Sequence, residues 1–225
     1  MKKTYNILII DDHQIIIDTF KNALALVEKD LENVIFKTEE AKCCQSAYEK
    51  IKKYSKFKKI DLFFLDISLP PSPIHKIFSG EDLGVKIKAY FPKAKIIVCT
   101  GFNDNLKLNN ILQRINPDAF LVKGDINFQN IITSIKSSLS NETYYSQTII
   151  NLLRKRVSTT IVLGDYDIKI LQELSNGARM KDLLESIPLS KTGIEKRKRK
   201  LRSFFNINSD SDRELVLTAK KKGFI

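Results

Sequence analysis

Over the first 140 residues, short apolar runs alternate with amphipathic segments. The runs fall at 6–10 (NILII), 33–36 (NVIF), 61–65 (DLFFL), 95–99 (KIIVC) and 119–122 (AFLV). Between them, apolar positions recur at helical spacing over 14–28, 43–54, 81–90, 104–114 and 127–139. A strand covered on one face alternates apolar with polar residues, whereas one covered on both faces reads as a continuous apolar run. Five such runs separated by five helices predict an α/β fold, a doubly wound parallel five-stranded sheet.

Beyond residue 140 the pattern changes. Residues 141–146 (NETYYS) read as a loop and 147–155 as a short helix, which Ser158-Thr159-Thr160 then breaks. From 163 onward there are helical segments at 165–175, 179–186, 190–204 and 211–222 and no convincing strand. Asp165 and Ser190 suit helix N-caps, and Gly177 and Gly223 suit helix C-termini. The expected organisation is therefore a domain over 1–140, a linker with a short helix over 141–162, and a small all-α domain over 163–225.

Charge separates the two ends. The chain carries a formal net charge of +12, and seven of those charges fall after residue 140. The densest block, Glu195-Lys196-Arg197-Lys198-Arg199-Lys200-Leu201-Arg202, asks for an anionic partner. Taken alone, a basic run is more simply a solvated helix face. Three cysteines, two of them adjacent (Cys43 and Cys44, with Cys99 apart), fit reduced thiols rather than a disulfide framework or a metal knuckle. The apolar run before Asp11 is too short for a signal peptide core or a membrane span, and no later stretch is long enough. A cytoplasmic protein with no membrane contact is expected.

In doubly wound sheets the functional crevice lies beyond the carboxyl ends of the strands. Those positions here are Asp11 and Asp12 after the first strand, Asp66 after the third, Thr100 ending the fourth and Lys123 after the fifth. Three carboxylates brought together repel unless a cation neutralises them, and hard oxygen donors suit Mg²⁺ or Mn²⁺. A carboxylate beside such a cation can attack phosphorus. An ammonium and a hydroxyl at the same place would stabilise a transferred phosphoryl group. Each residue alone is unremarkable, since Asp commonly ends strands as a turn former. The combination, in this order, is specific.

These residues resemble the receiver domain of two-component response regulators, which has a flavodoxin-like fold, over about residues 4–140. Asp11-Asp12-His13 is similar to the family's acidic pair, and Asp66, in Leu-Phe-Phe-Leu-Asp-Ile-Ser-Leu-Pro, to its phosphoacceptor. The resemblance implies that Asp66 takes a phosphoryl group from a sensor histidine kinase and loses it slowly by hydrolysis. It also implies that Asp12 binds Mg²⁺ directly and Asp11 through water, with the backbone carbonyl of Ser68 as a further ligand. Thr100 and Phe120 would be the switch residues, and Lys123 would pair with the phosphate. One departure is the delay of the usual following glycine to Gly80. It inserts about six residues, including Pro71 and Pro73, beside the site. Prolines exclude a helix through 70–73. The insertion is then a stiff loop that either shapes the site or is a tolerated surface feature, and His75 within it is given no catalytic role.

Residues 160–225 resemble LuxR-type (NarL/FixJ-like) helix-turn-helix domains, with Met180–Leu184 as the positioning helix and Lys191–Leu201 as the recognition helix. The family's Thr-Val reads Gly193-Ile194, and its histidine reads Arg197. Ile194, Leu201, Phe204 and Phe205 would bury one face, leaving Glu195, Lys196, Arg199 and Arg202 opposite. Lys191, Thr192, Glu195, Lys196, Lys198, Arg199 and Arg202 are the candidate contacts to double-stranded DNA, through phosphates and base edges. The combined reading is a phosphorylation-controlled transcription regulator that forms a homodimer on activation, and a signalling protein rather than an enzyme. One alternative is a regulator whose receiver signals without phosphate. Another is a phosphohydrolase of the haloacid-dehalogenase type, but those enzymes need an acid two residues after the nucleophile, where this chain has Ser68.

Overall fold

The computed structural model describes residues 2–57, 59–157 and 163–225. The predicted break at 158–160 lies outside the described residues. In chain order the elements are β1 (Lys3–Ile10), α1 (Gln14–Asp30), β2 (Val34–Ala41), α2 (Cys44–Phe57), β3 (Leu62–Leu65), α3 (Gly80–Tyr90), β4 (Lys95–Thr100), α4 (Asn105–Ile115), β5 (Ala119–Val122), α5 (Phe128–Leu139), β6 (Tyr144–Tyr145), α6 (Gln147–Val157), α7 (Asp165–Ser175), α8 (Met180–Ser186), α9 (Lys191–Phe205) and α10 (Asp212–Lys221). The chain divides into two compact units, one of Met1–Asn103 with Lys107–Ile150 and the other of Asp104–Leu106 with Asn151–Ile225. The boundary at 150/151 falls inside α6, within the stretch expected to be a linker.

The sheet order is β2-β1-β3-β4-β5-β6, with every neighbouring pair parallel. Six strands rather than five is a correction. Tyr144-Tyr145 pairs with Ala119-Phe120, and a two-residue strand is too short to leave a periodic signature. The continuous apolar runs have the expected cause, because successive side chains point to opposite faces and both are covered. Ile7, Ile9, Leu62, Phe64, Ile97, Cys99, Ala119 and Leu121 pack in one cluster with α1 and α5 residues such as Phe20, Leu24, Ile131 and Ile135. The alternate residues Leu8, Ile10, Phe63, Leu65, Ile96, Val98, Phe120 and Val122 are equally buried. On their side, a Cβ at Gly84 of α3 would collide with the Ile115 side chain of α4 and press tightly on Leu65 of β3.

The inserted loop is ordered by its own hydrogen bonds. Ser72 N–H donates to the Ile77 carbonyl at 2.7 Å, and Ile77 N–H donates back at 3.1 Å. A 3-10 turn, Pro73–His75, begins at proline, where no N–H is needed. Lys76 closes it with a left-handed φ of 53°, and the Ser72 hydroxyl lies 2.9 Å from His75 Nδ1. Ile77 is buried, while Ile74 and Phe78 face outward. The chain re-enters at Gly80, whose N–H donates to the Ile67 carbonyl at 3.0 Å.

In the second unit, Ile170, Leu171, Leu183, Ile187, Ile194, Leu201, Phe205, Leu215 and Ala219 form one apolar core. Ser190 caps α9 by accepting from Gly193 N–H at 3.1 Å. Gly177 and Gly223 take the positive φ values, 87° and 79°, that end α7 and α10. Asp165 is not the cap it was expected to be. Gly164 occupies that position, and Asp167 reaches back to its N–H at 3.2 Å.

Candidate functional site

Strand register brings the acidic residues together. Ile10 pairs with Leu65, Leu65 with Val98, and Thr100 with Val122. The residues that follow therefore emerge at one level along the sheet's C-terminal edge. Asp11 and Asp66 are both nearly inaccessible, whereas Asp12 is exposed. Lys123 Nζ donates to Asp11 Oδ2 at 2.9 Å and to Asp66 Oδ2 at 2.8 Å. The other oxygen of each carboxylate accepts a backbone N–H, Asp11 Oδ1 from His13 at 2.9 Å and Asp66 Oδ1 from Ser68 at 3.1 Å. Half-burial alone would lower the Lys123 pKa, but its hydrogen bonds to Asp66 and Asp11 outweigh that and hold it above the ordinary lysine value. The group at this point is an ammonium.

The donor set fits a divalent cation. Ligand atoms of Asp11, Asp12, His13 and Asp66 all lie within 4.8 Å of one another. Three carboxylates against one ammonium leave two uncompensated negative charges, which a dication would neutralise. His13 Nδ1, 2.7 Å from Asp12 Oδ1, joins this group. In the sequence it is the third residue of Asp11-Asp12-His13, with no role implied for it.

Thr100 is fully buried at the end of β4, and its hydroxyl accepts from Phe102 N–H at 3.2 Å. Its carbonyl accepts from Lys123 N–H at 2.7 Å, which ties β4 to the residue carrying the ammonium. Phe120 lies wholly inside. Gly80 packs against the backbone of Asp66 and Ile67. A Cβ there would collide with the Asp66 carbonyl oxygen and lie 2.7 Å from Ile67 Cα. The delayed glycine thus marks the place where the inserted loop must pass behind Asp66, a requirement the spacing did not disclose.

The basic helix α9 sorts its charges into two sets. Lys191, Thr192, Lys196, Arg199 and Lys200 are exposed and Glu195 is half-buried. Lys198 and Arg202, both placed among the DNA contacts from sequence, are buried, and this corrects the outward face expected for Arg202. Lys198 Nζ meets Asp212 Oδ2 at 2.8 Å and Glu195 Oε1 at 3.4 Å. Arg202 Nη2 meets Asp212 Oδ1 at 2.6 Å and the Asp210 carbonyl at 2.8 Å. Acidic partners at the start of α10 draw these two cations inward, as buried charges require. Arg197 is similarly engaged, pairing with Asp167 of α7 at 2.8 Å while lying over the Tyr166 ring.

Residues 7–136 match the family model of the response regulator receiver domain. The oxygen regulatory protein NreC of Staphylococcus epidermidis is 26% identical across 96% of this chain and 97% of its own. NreC of Staphylococcus aureus is equally similar over the same shares. Among solved structures, RcsB dimers bound to two parallel DNAs superpose with a TM-score of 0.65 at 18% identity, covering 96% of this chain and 98% of that one. RcsB from Salmonella enterica serovar Typhimurium, bound to a promoter in the presence of the phosphomimetic BeF3⁻, gives the same score. The chain belongs to the response regulator receiver family, as a receiver followed by a helical second unit. None of the described helices is long and apolar enough to cross a membrane.

Proposed function

We propose that this protein is a transcription regulator switched by phosphorylation of Asp66, with residues 1–140 as the receiver, 141–162 as a linker and 163–225 as the DNA-binding domain. The observation that carries the reading is the Lys123 ammonium held between Asp11 and Asp66 at the strand ends. Asp66 Oδ attacks phosphorus, the bond to the donor's histidine nitrogen breaks, and an acyl phosphate forms on the carboxylate. Asp11, Asp12, Asp66 and the Ser68 carbonyl would hold a divalent cation, which would neutralise the charge of the incoming phosphoryl oxygens. Lys123, already beside Asp66, then pairs with the new phosphate. The Thr100 hydroxyl gives up its backbone N–H partner to reach the phosphoryl group, with Phe120 locked in the interior beside it. Slow hydrolysis of the acyl phosphate resets the site.

On the output side, Lys191, Thr192, Glu195, Lys196 and Arg199 form the face that meets duplex DNA. Arg199 and Lys196 reach guanine or phosphate and Glu195 reaches cytosine. Lys198 and Arg202 hold the helix in place rather than touch the duplex. The receiver's phosphoryl donor is a sensor histidine kinase, and two copies bind two half-sites. Selection from a random duplex pool with protein treated with acetyl phosphate and Mg²⁺ tests this reading. A recovered motif with paired half-sites, weakened by Asp66→Asn, is the expected result. A random pool after repeated rounds rules the reading out.

A further inference from the structure

Hydrogen bonds join the carboxyl end of β5 to the start of α6. Ser146 stands immediately before α6, where a serine hydroxyl ordinarily caps its own helix. Here it does not. Its Oγ accepts from Val122 N–H of β5 at 3.1 Å, and its own N–H donates to the Phe120 carbonyl at 2.9 Å. Ser146 is almost wholly buried. It thus bonds to β5 on either side of Leu121, directly before Lys123.

The cap that Ser146 withholds from α6 comes from the loop after β5. Asp125 Oδ2 accepts from Thr148 N–H at 2.7 Å, and Asp125 N–H donates to the Val122 carbonyl at 3.0 Å. The other carboxylate oxygen, Asp125 Oδ1, is buried with no hydrogen-bond partner among the described residues. One oxygen therefore holds the helix and the other gains nothing, so a small shift of the 123–125 turn breaks the bond that Asp125 accepts from Thr148 N–H. Ile149 and Leu152, in the first two turns of α6, are buried.

We propose that Ser146 and Asp125 form a relay that makes the start of α6 an extension of β5, so that rearrangement at Lys123 is felt directly by the helix in which the chain passes from the first unit to the second. Phosphorylation gives Lys123 a new anionic partner in place of two carboxylates. The turn it begins shifts, and the cap on Thr148 shifts with it. The relay acts on a helix terminus, where losing a cap raises local opening about fivefold. It rests on the reading of Asp66 as the phosphoacceptor.

Hydrogen–deuterium exchange on the full chain, with and without beryllofluoride and Mg²⁺, tests it on wild type, Ser146→Ala and Asp125→Ala. Wild type should show a severalfold change on beryllofluoride both at 120–124 and at 144–152. In the two variants the change at 120–124 should remain and that at 144–152 should fall below about twofold. Two variants, one at each end of the relay, guard against a folding defect in either. A response at 120–124 without one at 144–152 in wild type overturns the relay, as does an unaltered response in both variants. No response anywhere, with no mass gain from acetyl phosphate, overturns the phosphoacceptor reading and the relay with it.

Discussion

Lys123 in the first unit and Arg202 in the second each meet two acidic residues, and the acids reach them by different routes. Lys123 is met by Asp11 and Asp66, from two strand ends that register alone brings level. Its neighbour Asp12 stays open to solvent. Arg202 is met by Asp210 and Asp212 from the turn and helix that follow it, and both it and Lys198 are buried by the contact. In the first case an ion cluster is left half open, where an incoming anion or cation can exchange partners. In the second, the charges are used up in fastening α9 to α10. Charge density is greater on α9, but the chemistry belongs to the cluster with unspent charge.

The contrast gives its largest expected effect at Asp212. Asp212→Ala strips both buried cations of their main partner and should cost the second unit about 3 kcal/mol, the low end for a broken buried pair because Asp212 is part-exposed. Urea unfolding of the full chain measures it, and a loss below 0.5 kcal/mol, taken as about the noise of a surface substitution, would make this pairing as dispensable as a surface one. Next, Gly80→Ala forces a methyl group into the backbone behind Asp66 and should cost about 2 kcal/mol by overpacking. The same unfolding measurement, followed by acetyl phosphate labelling, tells whether the loop's return point also sets the site's geometry.

On the exposed face the expectation reverses. Arg199→Ala should leave stability within about 0.5 kcal/mol and weaken binding to the selected duplex by about 1.5 kcal/mol, read by fluorescence anisotropy. Lys198→Ala should do the opposite, lowering the unfolding midpoint more than it weakens DNA binding. Equal losses in both variants would erase the division of α9 into holding and reading residues.

The smallest effect concerns the thiols. Hydrogen bonds from Ser46 lower the Cys43 pKa, while burial pushes Cys44 to about 11 and Cys99 to about 12. Thiolate is the reactive form and grows as pH rises toward the pKa, so iodoacetamide at pH 8 should modify Cys43 first, Cys44 more slowly and Cys99 last. Peptide mass mapping over time reads the order.

The same contrast explains what could be read from sequence. The elements of the sheet were legible because double coverage turns buried strands into apolar runs, and the strand-end rule then selected Asp11, Asp12, Asp66, Thr100 and Lys123 for one crevice. The structure brings Lys123, Asp11 and Asp66 into direct contact. On α9 the same method failed for Arg202, because helical periodicity assigns a face to each residue but not the acids supplied by the next helix. It was equally blind to Tyr144-Tyr145, which is too short for a period, and to Gly80, whose need to be small arises from backbone that precedes it by fourteen positions. Short-range patterns carried the fold. Partners from elsewhere in the chain did not register in them.

The most direct test of the account is to find where the phosphoryl group sits. Acyl phosphate formed with acetyl phosphate and Mg²⁺ can be reduced with borohydride, which converts the phosphorylated aspartate to homoserine, and the position is then read by peptide mass spectrometry. Homoserine is expected at position 66 and nowhere else, and none in Asp66→Asn. Homoserine at position 11 or 12 in the wild type, or none at all, would contradict it.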